Sequence, residues 1–287
     1  MFLDLSKDAF DDVPKISGPD WTVLIPFFNQ REHLPDTIES LARQATRFTL
    51  VLVDNGSTDD SAAVAEAACR AHRLDYMLLT ERMPGNVAAL RAGLAWVRTR
   101  WVAMCEANIG YPSHYLEAAE AILSQPGHVA AGAYFIAPEA GEAGRLLAAR
   151  RFLAAVRLLP RQCHAGNGGM TFCTRSLRAA GGFDAARWNF VLEDREVAHR
   201  VMRKGRMGYS DALWCTPSRY ERERGPAGWT PFERLLYSAT APIAADWFFY
   251  KFLARRLQRR RLLSDRSCER PNQHLEGPAF APSRSLR

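Results

Sequence analysis

Regular patterning begins at Trp21, where WTVLIP is uninterrupted by charge and reads as a strand covered on both faces. Leu34 to Arg43 switches to helical spacing, with Pro35 in the first turn. Thr49 to Val53 is a second apolar run, followed by an Ala-rich helix to about Arg73. Tyr76 to Thr80 and Arg100 to Cys105 read as further strands, with a helix over Val87 to Arg98 between them and another after Pro112. This alternation predicts a largely parallel sheet with helices on both faces.

The second half is less regular. Val129 to Ile136 reads as a strand, Arg145 to Leu159 as an amphipathic helix with a basic face, and Gly169 to Thr174 as a short strand. Asp194 to Lys204 is a helix ended by Gly205, and Met207 to Trp214 another strand. Beyond Pro231 the pattern is helical, and after Leu263 it is polar and proline-containing, so the last twenty or so residues are expected to be disordered.

Polar residues interrupt this pattern where the strands end. The first strand runs into Pro26-Phe27-Phe28-Asn29, the second into Asp54, and the fourth into Glu106-Ala107-Asn108. Carboxyl ends of parallel strands share one rim, where open α/β sheets bind their ligands. In LVLVDNGSTDDS, Asn55-Gly56 turns the chain and Ser57 or Thr58 is placed to cap the next helix. Asp54 is then either a ligand-facing carboxylate or a turn former. An aromatic ring beside an acceptor carboxylate suits a nucleobase. A Gly-x-Gly-x-x-Gly turn and a Gly-Lys-Ser/Thr phosphate loop are both missing from the sequence.

Several ordered motifs over about residues 20–225 resemble the glycosyltransferase family 2 enzymes of GT-A fold, which are nucleotide-diphospho-sugar transferases. IPFFNQREHLPDTIESLARQ is similar to that family's opening strand and helix, and VDNGSTDDS to its second motif. CEANIGYP stands where its Asp-x-Asp element would be, GGFD matches a recurrent turn, and LEDREVAHRVMRKG resembles its Glu-Asp motif. The resemblance implies a Rossmann-like, mostly parallel sheet flanked by helices, with a C-terminal helical extension.

It also implies roles. Pro26 and Phe28 would be nucleotide-binding, Phe28 lying against a base that Asp54 hydrogen-bonds, with Asn29 and Glu32 shaping the same edge. Glu106 and Asn108 would face ribose and diphosphate and hold a divalent metal, Mg²⁺ or Mn²⁺. Asp194, supported by Glu193, would be the general base that deprotonates the acceptor hydroxyl. Asn108 departs from the family, replacing a carboxylate with a neutral amide that attracts a metal less. Arg91 stands where the family has asparagine; it is either a diphosphate contact or a solvated helix residue. Arg222 and Arg224, with Arg219 and Arg175, could offset the leaving diphosphate's charge, but Glu221 and Glu223 among them equally suit a solvated loop. His164 either lines the acceptor pocket or serves a Gly-rich turn.

The resemblance implies inverting transfer from a nucleoside-diphosphate sugar, taken as UDP-linked, to a glycan or lipid-linked hydroxyl in bacterial surface polysaccharide synthesis. A nucleotide-sugar-binding protein of weak or no activity is the alternative, favoured by Asn108 and opposed by Glu193-Asp194. A nucleotidyltransferase would want a Gly-rich basic loop after the first strand, and PFFNQRE is not one.

Charge changes the picture at one end only. The net +7 resides wholly in residues 251–287, which hold ten Lys/Arg and three Asp/Glu. A nucleic-acid surface over the whole domain is therefore not expected. The expected division is a transferase domain over 1–230, a helical extension over 231–265 and a tail over 266–287. Within the extension, Trp247, Phe248, Phe249 and Phe252 precede Arg255 to Arg261 closely enough to form an interfacial helix on an anionic membrane, or else to pack on the domain. The six scattered cysteines read as reduced thiols, and the acidic, apolar-poor start reads as no signal peptide. Together these lead to the expectation of a cytoplasmic chain, peripheral at the inner membrane face where the extension docks rather than packs on the domain.

Overall fold

The structure, a computed structural model, describes residues 18–166, 168–218 and 229–265. Its first half follows the strand–helix alternation: β1 (Trp21–Phe27), α1 (Leu34–Ala42), β2 (Phe48–Asp54), α2 (Ser61–Ala71), β3 (Tyr76–Thr80), α3 (Asn86–Trp96) and β4 (Trp101–Met104). After these come β5 (Ile109–Gly110), α4 (Tyr115–Leu123), β6 (His128–Gly132), β7 (Tyr134–Phe135), α5 (Glu142–Leu158), β8 (Met170–Cys173) and α6 (Thr174–Ala179). Then follow α7 (Glu193–Met202), β9 (Arg206–Gly208), β10 (Trp214–Pro217) and α8 (Pro231–Thr240).

The main sheet has the order β3-β2-β1-β4-β8-β6-β9. β1 to β4 run parallel, and β8 lies antiparallel between β4 and β6. The run WTVLIP lacks alternation because both faces are covered: Val23 and Ile25 join the core beneath α1, α2 and α4, while Leu24 joins the core beneath α3 and α7. Gly93 lets α3 approach closely, since a Cβ there would lie 2.2 Å from Leu24 Cδ1.

Two expected strands are each divided. The 129–136 run splits into β6 and β7, which belong to different sheets, β7 pairing with β10 in a small three-stranded sheet. At the break, Gly132 passes so near Ala165 and Tyr209 that any Cβ would clash at 2.7 Å. The 207–214 run is interrupted by a turn in which Ser210 Oγ accepts from the Ala212 amide and Ser210 O from that of Leu213. The expected caps of α2 are also different. Its N-cap is Asp60, and Ser57 and Thr58 instead clasp Asn29 of the neighbouring loop.

The C-terminal extension corrects the picture of a free aromatic face. Ala245–Trp247 is α9, Phe248–Leu253 is π-helical and Ala254–Arg259 is α10. Phe248, Phe249, Leu253 and Leu257 are fully buried against Trp188, Leu192 and Tyr237, Phe252 is partly buried and Trp247 is half exposed. Phe249 stacks on His199, whose Nε2 lies 2.7 Å from Asp246. Arg256 and Arg260 of the basic cluster both hold the buried carboxylate of Glu233. Apolar packing and inward charge pairing therefore consume much of what would have faced lipid. Four cysteines are buried and Cys173 is partly so, all as free thiols; Cys268 lies outside the described residues, as does the 266–287 tail. No helix among the described residues is long and apolar enough to cross a membrane.

Candidate active site

A hollow opens at the carboxyl ends of β1 and β4. Pro26 from β1, Cys105 and Glu106 after β4, Gly168 and Met170 by β8, Asn86 and Leu90 from α3, and Glu193, Asp194 and Val197 from α7 line it. Four of the residues singled out from sequence thus meet on one wall: Pro26, Glu106, Glu193 and Asp194.

The position of the carboxylate pair follows from α7 and its supports. Leu192 precedes it in the left-handed region, φ 68°, which disfavours a branched side chain and persists because Leu192 is buried in the C-terminal core. About two turns on, Arg200 forms a two-pronged bond to Glu196 at 2.7 and 2.8 Å and donates to the carbonyls of Ala180 and Gly182. This ties α7 to the GGFD turn, whose Phe183 also lines the hollow. Tyr250 donates to the same Glu196, so the C-terminal extension braces the helix from behind.

The two carboxylates have different surroundings. Burial, and secondarily the charge of Asp194, push Glu193 from 4.5 up to about 7, although the Asn86 side-chain amide donates to it. Burial also raises Asp194, but Arg195 Nε stands 3.8 Å from its Oδ2 and favours the ionised form. Arg195 is held by donation from Nη1 to Cys163 O at 2.6 Å. Burial raises both neighbouring carboxyls, but their fields are unequal: Glu193 titrates near neutrality, whereas Arg195 favours the ionised form of Asp194. Cys105 also lines the hollow, but burial raises its thiol to about 12, which rules it out as a thiolate nucleophile near neutral pH.

The remaining described candidates from the sequence do not line this hollow. Asp54 is buried at the end of β2, opposite Phe27, and its Oδ1 accepts from Ser57 N at 2.8 Å. Asn29, at φ 51°, bridges two loops: its amide donates to Ser57 Oγ, and its Oδ1 accepts from Thr58 N at 2.8 Å. Phe28 is half-buried just past β1, and Glu32 is exposed in the next turn. Asn108 is half-buried, with its backbone carbonyl bound by Ser218 N. Arg91 is exposed on α3, and Arg175 is exposed on α6. His164 lies between Phe152 and Tyr209, its Nε2 2.9 Å from Leu159 O, and burial lowers its pKa, so the ring is neutral near pH 7. Arg219, Arg222 and Arg224 lie outside the described residues.

Sequence reading did not single out Asn86 or Arg195, and took Asn55 only as a turn residue. Asn55 Nδ2 donates to Glu81 O and Met83 O, and its Oδ1 accepts from Gly85 N at 2.7 Å. It thereby sets where α3 starts and where Asn86 meets Glu193. The Gly85-Asn86 pair at a strand-to-helix turn was the available signal for this contact.

Among the described residues no group of three or more His, Cys, Asp or Glu is placed to hold a metal ion. Glu106 offers one anionic oxygen at the mouth of β4, and Asn108 offers a neutral one. That donor set fits a hard cation that keeps waters and takes its other oxygens from a substrate phosphate, as Mg²⁺ commonly does.

The family model for glycosyl transferase family 2 matches residues 22–180, more than half of the chain. An undecaprenyl-phosphate 4-deoxy-4-formamido-L-arabinose transferase from Sodalis glossinidius is 32% identical over 96 residues, covering 32% of this chain and 29% of that protein. The matched stretch thus spans under a third of that relative's length. Among solved structures, a mannosyltransferase from Pyrobaculum calidifontis in complex with GDP-Man and Mn²⁺ superposes with a TM-score of 0.59 at 18% identity, covering 83% of this chain and 74% of that one. TarS from S. aureus in complex with UDP-GlcNAc gives 0.55 at 15% identity, over 83% and 73% of the two chains. The mixed α/β architecture, a large mostly parallel sheet flanked by helices, is that of the GT-A glycosyltransferases.

Proposed function

The chain belongs to glycosyl transferase family 2, and from that we propose that its hollow transfers a sugar, with inversion, from a UDP-linked donor to a hydroxyl of a glycan or lipid-linked acceptor. The observation that carries this reading is the meeting of Pro26 and Glu106, at strand ends, with the unequal pair Glu193 and Asp194 on one hollow. Asp194 takes the proton of the acceptor hydroxyl as that oxygen bonds to the anomeric carbon. The anomeric bond to the diphosphate breaks on the opposite face, and nucleoside diphosphate departs. General-base assistance of this kind is worth ~10²–10⁴ in rate. Glu193, protonated near neutrality and held by Asn86, lowers the negative charge beside Asp194 and fixes the start of α7.

Phe28 and Asp54 recognise the base, and Asn29 with Glu32 shapes that edge. Glu106 and the side-chain oxygen of Asn108 would hold a divalent cation, Mg²⁺ or Mn²⁺, which supplies positive charge for the departing diphosphate. Arg91, Arg222, Arg224 and His164 are assigned to the diphosphate and acceptor sides. Bacterial surface polysaccharide synthesis at the cytoplasmic membrane face is the setting that fits a lipid-linked acceptor.

A thermal-shift series with UDP and GDP, each with Mn²⁺ or with EDTA, tests the reading. UDP with Mn²⁺ is expected to raise the melting temperature most, and Asp54→Ala to remove that rise. If neither nucleotide shifts the melt under any condition, the nucleotide-binding role of the hollow is wrong.

A further inference from the structure

We propose that α5 is a membrane-docking helix that lies on an anionic lipid surface. Its 17 residues make an unusual outer face for a solvated helix, since only Ala149 is buried. The inner side rests on Phe152, which packs against Tyr134 and Tyr209 with ring centroids 5.3 and 5.4 Å away. On the opposite side, residues at i, i+4, i+7 and i+11 are Leu147, Arg151, Ala154 and Leu158, a spacing that keeps them on one stripe. Leu147 is 49% exposed and Leu158 78%. Arg150 and Arg157 flank the stripe, both exposed.

Charge separates this helix from an ordinary surface helix. Residues 142–161 contain five arginines and a single acid, Glu142. Among the described residues none of Arg150, Arg151 and Arg157 has an ion-pair partner, whereas Arg43 and Arg70 are paired with acids one turn away on their own helices. Exposed leucines between unpaired arginines match a surface with anionic headgroups outside and hydrocarbon beneath. The patch extends past the helix: Arg161 Nη1 donates to Pro242 O, which brings the end of α5 beside Ile243, itself 86% exposed.

The face is also connected to the hollow. The segment after α5 places Cys163 O on Arg195, the neighbour of Asp194. Docking stands on the helix alone; its use in presenting a lipid-linked acceptor to Asp194 rests on the transfer reading above.

The test is co-sedimentation of the full chain with vesicles of phosphatidylglycerol and phosphatidylcholine, or of phosphatidylcholine alone, at low and high salt, with heparin binding in parallel. One variant combines Arg150→Gln, Arg151→Gln and Arg157→Gln; another combines Leu147→Gln and Leu158→Gln. All five positions are exposed, and far-UV melts check that the fold is kept. At roughly fivefold per basic residue, the arginine variant should lose on the order of 100-fold in partition onto anionic vesicles. The leucine variant should lose about tenfold or more, the part that salt does not remove, with heparin binding intact. Equal sedimentation of wild type and both variants, or failure of the wild type to bind anionic vesicles, would overturn the proposal. So would loss through the arginines alone, with the leucine variant unchanged, because that marks a polyanion site rather than a bilayer.

Discussion

Replacing Glu193 with glutamine should flatten the pH dependence of stability between about pH 5 and 7. The folded protein holds this carboxyl at about 7 against an ordinary 4.5, mainly because the side chain is buried in the wall of the hollow. A folded-state pKa above the unfolded value means that the native state binds the proton more tightly. The stabilisation is complete below the unfolded value and is lost as pH rises through the folded one. At about 1.36 kcal/mol per pH unit, moving from 4.5 to about 7 is worth roughly 3 kcal/mol. Glutamine keeps an oxygen for the Asn86 amide and removes the ionisation. Urea unfolding of wild type and Glu193→Gln at pH 5, 6, 7 and 8 reads the difference directly. Glu193→Gln should gain on wild type as pH rises, by up to ~3 kcal/mol at pH 8. Parallel profiles would refute the claim that Glu193 is protonated in the folded hollow, and with it the division of labour between the two carboxylates.

Two further outcomes test how the hollow is held. Gly93→Ala puts a Cβ 2.2 Å from Leu24 Cδ1 and 2.9 Å from Val53 Cγ2. It should cost ~1–3 kcal/mol by overpacking, read as a lower urea midpoint at unchanged slope. Ser264→Ala removes the hydroxyl that accepts from Val87 N at 3.0 Å in a fully buried setting. It should cost ~1–3 kcal/mol and speed hydrogen exchange at the Val87 amide, and an unchanged exchange rate would mean the strap does not hold α3.

Much of the fold was legible because a sheet covered on both faces leaves continuous apolar runs, and the helices between them have their own period. Glu193 and Asp194 were legible as a pair because they open a helix in a recognisable motif. Contacts across long separations were not. Asn86 meets Glu193 over 107 residues, and Val87 meets Ser264 over 177, with no local pattern to announce either. Ser57 and Thr58 misled for a related reason: a hydroxyl before a helix looks the same whether it caps that helix or clasps Asn29. The aromatics from Trp247 to Phe252 beside arginines fit a bilayer and a protein core equally well as sequence. Trp188, Tyr237 and Glu233, far away in the chain, decide the matter. The leucine and arginine stripe of α5 carries the same ambiguity, and there the fold leaves the outer face open.

The central claim, that Asp194 is the base of a glycosyl transfer in this hollow, is tested most directly by steady-state turnover of Asp194→Asn beside its nucleotide affinity. The UDP-sugar and acceptor used are those that wild type turns over fastest in a donor and acceptor screen. Asparagine matches the carboxylate in size and cannot take the proton. The account predicts a fall in kcat of ~10²-fold or more with the dissociation constant for UDP within a few-fold of wild type. Turnover within a few-fold of wild type, with the variant folded and binding UDP normally, would contradict it.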